Sequence, residues 1–232
     1  MSERLPIVLL PGLLCDQRLW RDQARDLGDI AEPTLPDLTL DDTLSAMAAR
    51  VLDAAPERFA LAALSMGGYV AFEILRQQPQ RVTKLALVDT SAGLDSPRRV
   101  KERLAGIESL KHGRFFGVTT RMLPQLVHSR HVQGPVGEEV RAMAKRVGGA
   151  AFLRQQSAIL NRPDSRPLLP SITVPTLVAV GDSDVLTPPS HAEEMHRQIA
   201  GSTFHVFAEC GHLPPMEVPD QTSQLLRRWL LA

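Results

Sequence analysis

The stretch Phe59-Ala-Leu-Ala-Ala-Leu-Ser-Met-Gly-Gly-Tyr69 constrains the folding of this chain more than any other. An apolar, strand-compatible run stops at Ser65. Two glycines follow, and helical spacing then runs from Tyr69 to Gln78 and is closed by Pro79. The pattern reads as a strand, a very tight turn with a serine at its tip, and a helix. Such a turn crowds the backbone on both sides of the serine, so only small residues fit beside it; Ala63 and Gly67 hold those places. The geometry pushes the hydroxyl out of the sheet edge, next to the first N–H groups of the helix. Ser65 is therefore a candidate nucleophile. The competing reading is an ordinary strand-to-helix turn with Ser65 as the N-cap; alanine at the first small position, where glycine is usual, weakens the nucleophile signal.

Further short apolar runs, Pro6–Leu10, Lys84–Val88, Thr176–Val180 and Thr203–Phe207, read as buried strands, with a weaker one over Glu32–Leu35. Helical spacing separates them over Trp20–Leu27, Thr43–Ala55, Ser190–Ile199 and Gln221–Leu230. Continuous apolar strands alternating with amphipathic helices predict an α/β fold: a mostly parallel central sheet with helices on both faces. From about Asp95 to Arg166 the alternation breaks. Helices are expected there over Pro97–Leu110, Phe115–His128, Glu138–Val147 and Ala151–Leu160, punctuated by glycines. We read a helical insertion, residues 95–166, lying over one end of a core made of residues 1–94 and 167–232.

The chain has 232 residues, enough for one such domain with an insertion. Twenty-six basic and 26 acidic residues balance, which argues against a nucleic-acid partner. Two cysteines are too few for a disulfide framework. Neither a signal peptide nor an apolar stretch long enough to span a bilayer is visible, so a soluble cytoplasmic protein with no membrane partner is expected.

In an open α/β sheet, ligands gather at the carboxyl ends of the strands. The residues expected there include Pro11–Leu14, Ser65–Met66, Asp89–Ser91, Asp182–Asp184 and Glu209–His212. A serine hydroxyl is a weak nucleophile at neutral pH and needs a base, and the base needs an orienting partner. His212 follows the last strand, and prolines at 214, 215 and 219 suggest an irregular loop there. For the partner, Asp184 ranks first, Asp89 second and Asp182 third. Acyl transfer also needs two N–H donors for the developing oxyanion. Met66 supplies one beside the nucleophile, and the loop after the first strand supplies the other from Leu13, with Leu14 in reserve.

The order Ser, Asp, His at successive strand ends, the tight elbow, the Gly181-Asp-Ser-Asp184 loop and the Gly211-His-Leu-Pro-Pro-Met-Glu-Val-Pro219 loop together resemble the α/β-hydrolase superfamily, nearly from end to end. In that family the acid loop commonly reads G-x-x-D with the last Asp orienting the histidine, which favours Asp184 over Asp182. Pro11-Gly12 stands where the family often has His-Gly.

The resemblance implies a serine hydrolase of the small-cap esterase or enol-lactonase kind, cleaving a small carboxylic ester or lactone through an acyl-enzyme. It implies catalytic Ser65, Asp184 and His212, oxyanion donors Leu13 and Met66, and no metal or organic cofactor. A monomer or homodimer is expected. Carbon–carbon bond hydrolases, thioesterases, cofactor-free haloperoxidase-like enzymes and the menaquinone-pathway synthase share the same constellation. A non-catalytic ligand-binding protein of this fold is the reading from a different class. Arg98, Arg99, Arg103, Arg114 and Arg121 read as a solvated helix face rather than a substrate clamp. His112, His128 and His131 read as surface residues rather than metal ligands.

Overall fold

The computed structural model describes residues 4–113 and 115–232; Arg114 lies outside them. Six strands, β1 (Leu5–Leu10), β2 (Ala31–Thr34), β3 (Phe59–Leu64), β4 (Val82–Val88), β5 (Thr176–Gly181) and β6 (Thr203–Phe207), form one sheet in the order β2-β1-β3-β4-β5-β6. Every neighbouring pair is parallel. β2 pairs through Pro33 opposite Ile7. The proline is tolerated because β2 lies at the sheet's edge, where a missing N–H breaks no inner ladder.

Side chains alternate across β3. Phe59, Leu61 and Ala63 enter one core with Val70, Phe72 and Leu87. Ala60, Ala62 and Leu64 enter the other with Leu9, Trp20 and Phe207. All six residues of β3 are buried, because helices cover both faces and leave no solvated side to call for polar alternation. Removing a core side chain of this size, as in Phe72→Ala, costs about 3–5 kcal/mol.

The helices are α1 (Arg21–Asp26), α2 (Leu44–Ala54), α3 (Met66–Gln77), α4 (Pro97–Lys111), α5 (Leu123–Leu126), α6 (Pro135–Leu160), α7 (Pro189–Gln198), α8 (Pro214–Glu217) and α9 (Pro219–Leu231). α3 starts three residues before the expected Tyr69, since Met66, Gly67 and Gly68 already make its first turn.

Between β4 and β5 no strand occurs among the described residues. The helix expected over Phe115–His128 does not form as such: only Leu123–Leu126 is helical. Gly117 sits at φ 58°, and Pro124, having no N–H, is accommodated only in a first helical turn. The two helices expected over 138–160 form one long element, α6, which Gly148 breaks by leaving helical geometry at φ 79°.

The prolines at 214, 215 and 219 also act differently from expectation. They open α8 and α9 rather than keeping the histidine loop irregular. Proline is suited to a first turn, where its missing N–H costs nothing.

Candidate active site

The sharp turn after β3 is present. Ser65 stands at φ 53° and ψ −116°, joining β3 to α3, a strained conformation that its neighbours enforce. The Thr90 hydroxyl donates to the Ser65 carbonyl at 2.7 Å, and the Ser65 N–H donates to Val88 O at 3.1 Å. A Cβ on Gly67 would lie 2.6 Å from the Leu10 carbonyl oxygen, and one on Gly68 would collide with the Thr90 side chain. The glycines thus let the start of α3 press against the end of β1 and the segment just after β4.

His212 Nε2 lies 2.8 Å from Ser65 Oγ. On the other side of the ring, Nδ1 lies 2.7 Å from Asp184 Oδ2. Asp184 is held by the turn after β5. Its Oδ1 accepts the Leu186 and Thr187 N–H groups at 2.8 and 3.2 Å. Its Oδ2 also accepts the Thr187 hydroxyl at 2.7 Å. Burial works to raise the Asp184 carboxyl, but the charge and hydrogen bond of His212, together with the Thr187 hydroxyl, help to outweigh it and bring the group down to about 2. The carboxylate is therefore an anion at neutral pH, suited to fixing the imidazole's tautomer and stabilising an imidazolium.

The two other carboxylates take different places. Asp182 is exposed and accepts the Glu209 and Cys210 N–H groups at 2.8 and 3.1 Å, tying the acid loop to the histidine loop. Asp89 is buried and accepts the Gly181 N–H at 3.0 Å.

In the loop after β1, Leu14 adopts φ 58° and gives its N–H to Gln155 Oε1 at 3.1 Å. Leu14 is thus occupied, whereas among the described residues no acceptor pairs with the Leu13 N–H. Met66 opens α3 and carries one of the N–H groups that a helix start leaves without an intrahelical acceptor.

Glu217 had no reading in the sequence. Buried in α8, its Oε2 accepts Gly211 N–H at 3.0 Å and His128 N–H at 2.7 Å, while Oε1 accepts Leu213 N–H at 2.9 Å. The residues on either side of His212 are thereby fixed, and the His212 N–H itself donates to Leu126 O at 3.1 Å. A glutamate inside a proline-bracketed histidine loop was the available signal.

A cavity of about 1000 Å³ opens over Ser65. Its wall includes Val118, Met122, Val140, Met143 and Phe152 from the segment between β4 and β5. Arg98, Arg99 and Arg103 also line it. Arg98 is a solvated residue paired with Glu102, but Arg103 is not: it is buried between Asp95 and Gln156. Cys15 touches the cavity too, but burial pushes its thiol up to about 12, so it carries no thiolate. Among the described residues, the one grouping with metal-ligand chemistry is Asp89, Asp184 and His212 itself. Of the histidines at 112, 128 and 131, the first is exposed and the others are half-buried.

A hydroxyl, an imidazole and a carboxylate in one hydrogen-bonded row, at the carboxyl edge of a parallel sheet, define a class: α/β proteins built around a sharp strand-to-helix serine turn. The chain belongs to the alpha/beta hydrolase family, whose model matches residues 7–225. It is 33% identical to a thermophilic esterase from Thermogutta terrifontis solved with malate bound, with a TM-score of 0.87 over 97% of this chain and 89% of that one. It also shares its fold with the enol-lactonase from Burkholderia xenovorans, at a TM-score of 0.85 and 21% identity over 100% of this chain and 93% of that one. By sequence it is 29% identical to a pimeloyl-[acyl-carrier protein] methyl ester esterase from Neisseria meningitidis serogroup A over 174 residues, 70% of this chain. That match spans about half of the relative's length, 54%. The corresponding protein of Nitrosomonas europaea is 28% identical over 78% of this chain and 74% of its own. No helix among the described residues is long and apolar enough to cross a membrane.

Proposed function

We propose that this chain is a serine ester hydrolase that cleaves a carboxylic ester or lactone through an acyl-enzyme. The observation that carries the proposal is the continuous row from Ser65 Oγ through His212 to Asp184, with spacings of 2.8 and 2.7 Å. His212 takes the Ser65 proton as Oγ attacks the carbonyl carbon. Asp184 holds the ring so that Nε2 is the accepting nitrogen and stabilises the imidazolium that forms. The Leu13 and Met66 N–H groups receive the charge that develops on the carbonyl oxygen, each worth roughly 3–4 kcal/mol of barrier. His212 then protonates the departing alcohol. In the second half it activates water, which releases the acid and restores Ser65.

The segment 95–166 acts as a cap in this reading, and its apolar wall takes the acyl chain. The names of the Neisseria and Nitrosomonas relatives, which specify the methyl ester of a pimeloyl group on an acyl-carrier protein, and the cavity of about 1000 Å³ favour a medium-length acyl ester over acetate.

The test is a panel of p-nitrophenyl and methyl esters of increasing acyl length, with lactones, thioesters and vinylogous 1,5-diketones, read as relative kcat/KM against Ser65→Ala. Turnover of esters that falls to background in that variant is expected. Equal rates in the two proteins would contradict catalysis. Turnover confined to thioesters or diketones would move the assignment to another chemistry on the same residues.

A further inference from the structure

Asp89 is a buried acid to which the proposed reaction gives no task. It directly follows β4, where the backbone turns through φ 44°, and it is 1% exposed. Its Oδ1 has a donor, the Gly181 N–H. Its Oδ2 is shielded from solvent, and no donor reaches it among the described residues. Yet a carboxyl oxygen of Asp89, one of Asp184 and a ring nitrogen of His212 lie within 4.8 Å of one another.

Two ionised carboxylates in such proximity repel, and an anion with an oxygen facing no donor is costly to bury. One proton shared between them removes both problems. Asp184 is the poorer holder, since its two oxygens already face Leu186 N–H, Thr187 N–H, the Thr187 hydroxyl and His212 Nδ1. On Asp89 the proton turns the orphaned oxygen into a donor.

We infer that Asp89 is a positioning residue that keeps its carboxyl proton at neutral pH and donates it as a hydrogen bond to Asp184. The inference rests on the proposed role of Asp184 as the partner of His212. The electrostatic surroundings agree with it. Burial, and then the charge of Asp184, push the Asp89 carboxyl well above its ordinary range, and the Glu217 carboxylate of α8 adds to this against the single N–H of Gly181. The Cys210 thiol, from the histidine loop, stays neutral because burial pushes it up. Among the described residues, the charged groups that act on Asp89 from the acid loop and α8, Asp184 and Glu217, are both acids, and the ring of His212 beside it can take up a positive charge.

The consequence for the site is a single negative charge behind the imidazole instead of two. Two anions there would bind the imidazolium so firmly that it would be slow to return its proton, and a general base must give back what it takes. The neutral acid still contributes a directed hydrogen bond that keeps the carboxylate turned toward His212.

A raised carboxyl has a definite sign in the stability balance. Below the ordinary carboxylate value of 3.8 the folded and unfolded chains both hold this proton. As pH rises above that value the unfolded chain releases it while the fold keeps it, so wild-type stability is lost with rising pH. Asp89→Asn, which keeps the shape and a donor but has no proton to lose, escapes this loss.

The experiment measures urea unfolding of wild type and Asp89→Asn from about pH 4 to about pH 8, together with the acid limb of kcat/KM for an ester. The expected result is a stability difference that shifts in favour of the variant as pH rises, and an acid limb at the same pH in both proteins whatever happens to kcat. An ionised Asp89 would instead give no such growth and would move the acid limb of the variant down by roughly 1–3 pH units. The unfolding arm needs no turnover, so a chain that proves inactive would refute the proposed hydrolysis without deciding the proton. If the variant does not fold, wild-type protein labelled with ¹³C at its aspartate carboxyls serves: one carboxyl signal still at the protonated position at neutral pH supports the inference, and none overturns it.

Discussion

Around Ser65 the polar groups are pinned by short-range bonds: Asp184 to Leu186, Thr187 and His212, and Glu217 to the two neighbours of His212. Across the cavity, the segment between β4 and β5 presents apolar side chains beside arginines paired to nearby acids, such as Arg98 with Glu102 and Arg103 with Asp95. Under the proposed function the difference teaches where chemistry and selectivity sit. A proton relay tolerates little displacement, so its residues stand at the ends of strands in a buried sheet. A pocket wall only has to match a shape, so helices with replaceable side chains suffice. The two regions are nevertheless stitched together. Gln155 of α6 accepts the Leu14 N–H and donates to Leu38 O at 3.2 Å, Leu126 O accepts the His212 N–H, and Glu217 accepts the His128 N–H.

If this division is right, the largest effects lie on the rim. Asp184→Asn should lower kcat by about 10⁴-fold with little change in KM, because the imidazole is left in the wrong tautomer. Steady-state kinetics on the best ester of the panel measures it; a loss below about tenfold would mean that another group, such as Asp89, orients the ring.

A smaller effect is expected where the two regions touch. Gln155→Leu removes the acceptor of the buried Leu14 N–H, next to the Leu13 N–H proposed as an oxyanion donor. Leaving one buried donor unpaired costs about 1–3 kcal/mol, and the same substitution should reduce kcat more than it raises KM. Unfolding and steady-state kinetics read the two effects separately. An unchanged kcat would show that α6 merely rests on the loop after β1.

Smaller still, Met143→Ala should leave kcat on short esters intact and change the preference between short and medium acyl chains by about tenfold, the worth of one or two methylene contacts. A uniform fall over all chain lengths would move Met143 from pocket wall to rim. The smallest effect belongs to Arg98, whose side chain is 90% exposed. Arg98→Gln should alter stability by no more than about 0.5 kcal/mol, and a large loss for neutral esters would break the comparison from the other side.

The same division explains what could be read without coordinates. The turn at Ser65 was legible because it is encoded locally: a buried strand, a small residue on each side and a glycine pair that opens the helix. His212 and Asp184 stood out as residues at strand ends, and the structure brings Nδ1 of the one to 2.7 Å from Oδ2 of the other. The short irregular stretch at Phe115–His128 was misread, because its apolar spacing is helical while Gly117 and Pro124 stop the backbone. The prolines at 214, 215 and 219 were read as breakers, although in a first helical turn they are starters. Gln155 left no local trace. It acts through a partner 141 residues away in the chain, and a contact of that span is visible only after folding. Arg103 was misplaced on a solvated face for the same reason: its burial is created by Asp95 and Gln156, not by its own helix.

The most direct test of the account is to trap the covalent intermediate. Wild-type protein mixed with excess p-nitrophenyl butyrate and quenched in acid within the burst phase should gain the mass of one butyryl group, and peptide mapping should place it on Ser65. A protein that turns the ester over with no adduct on Ser65, or that carries the same adduct after Ser65→Ala, would contradict the account.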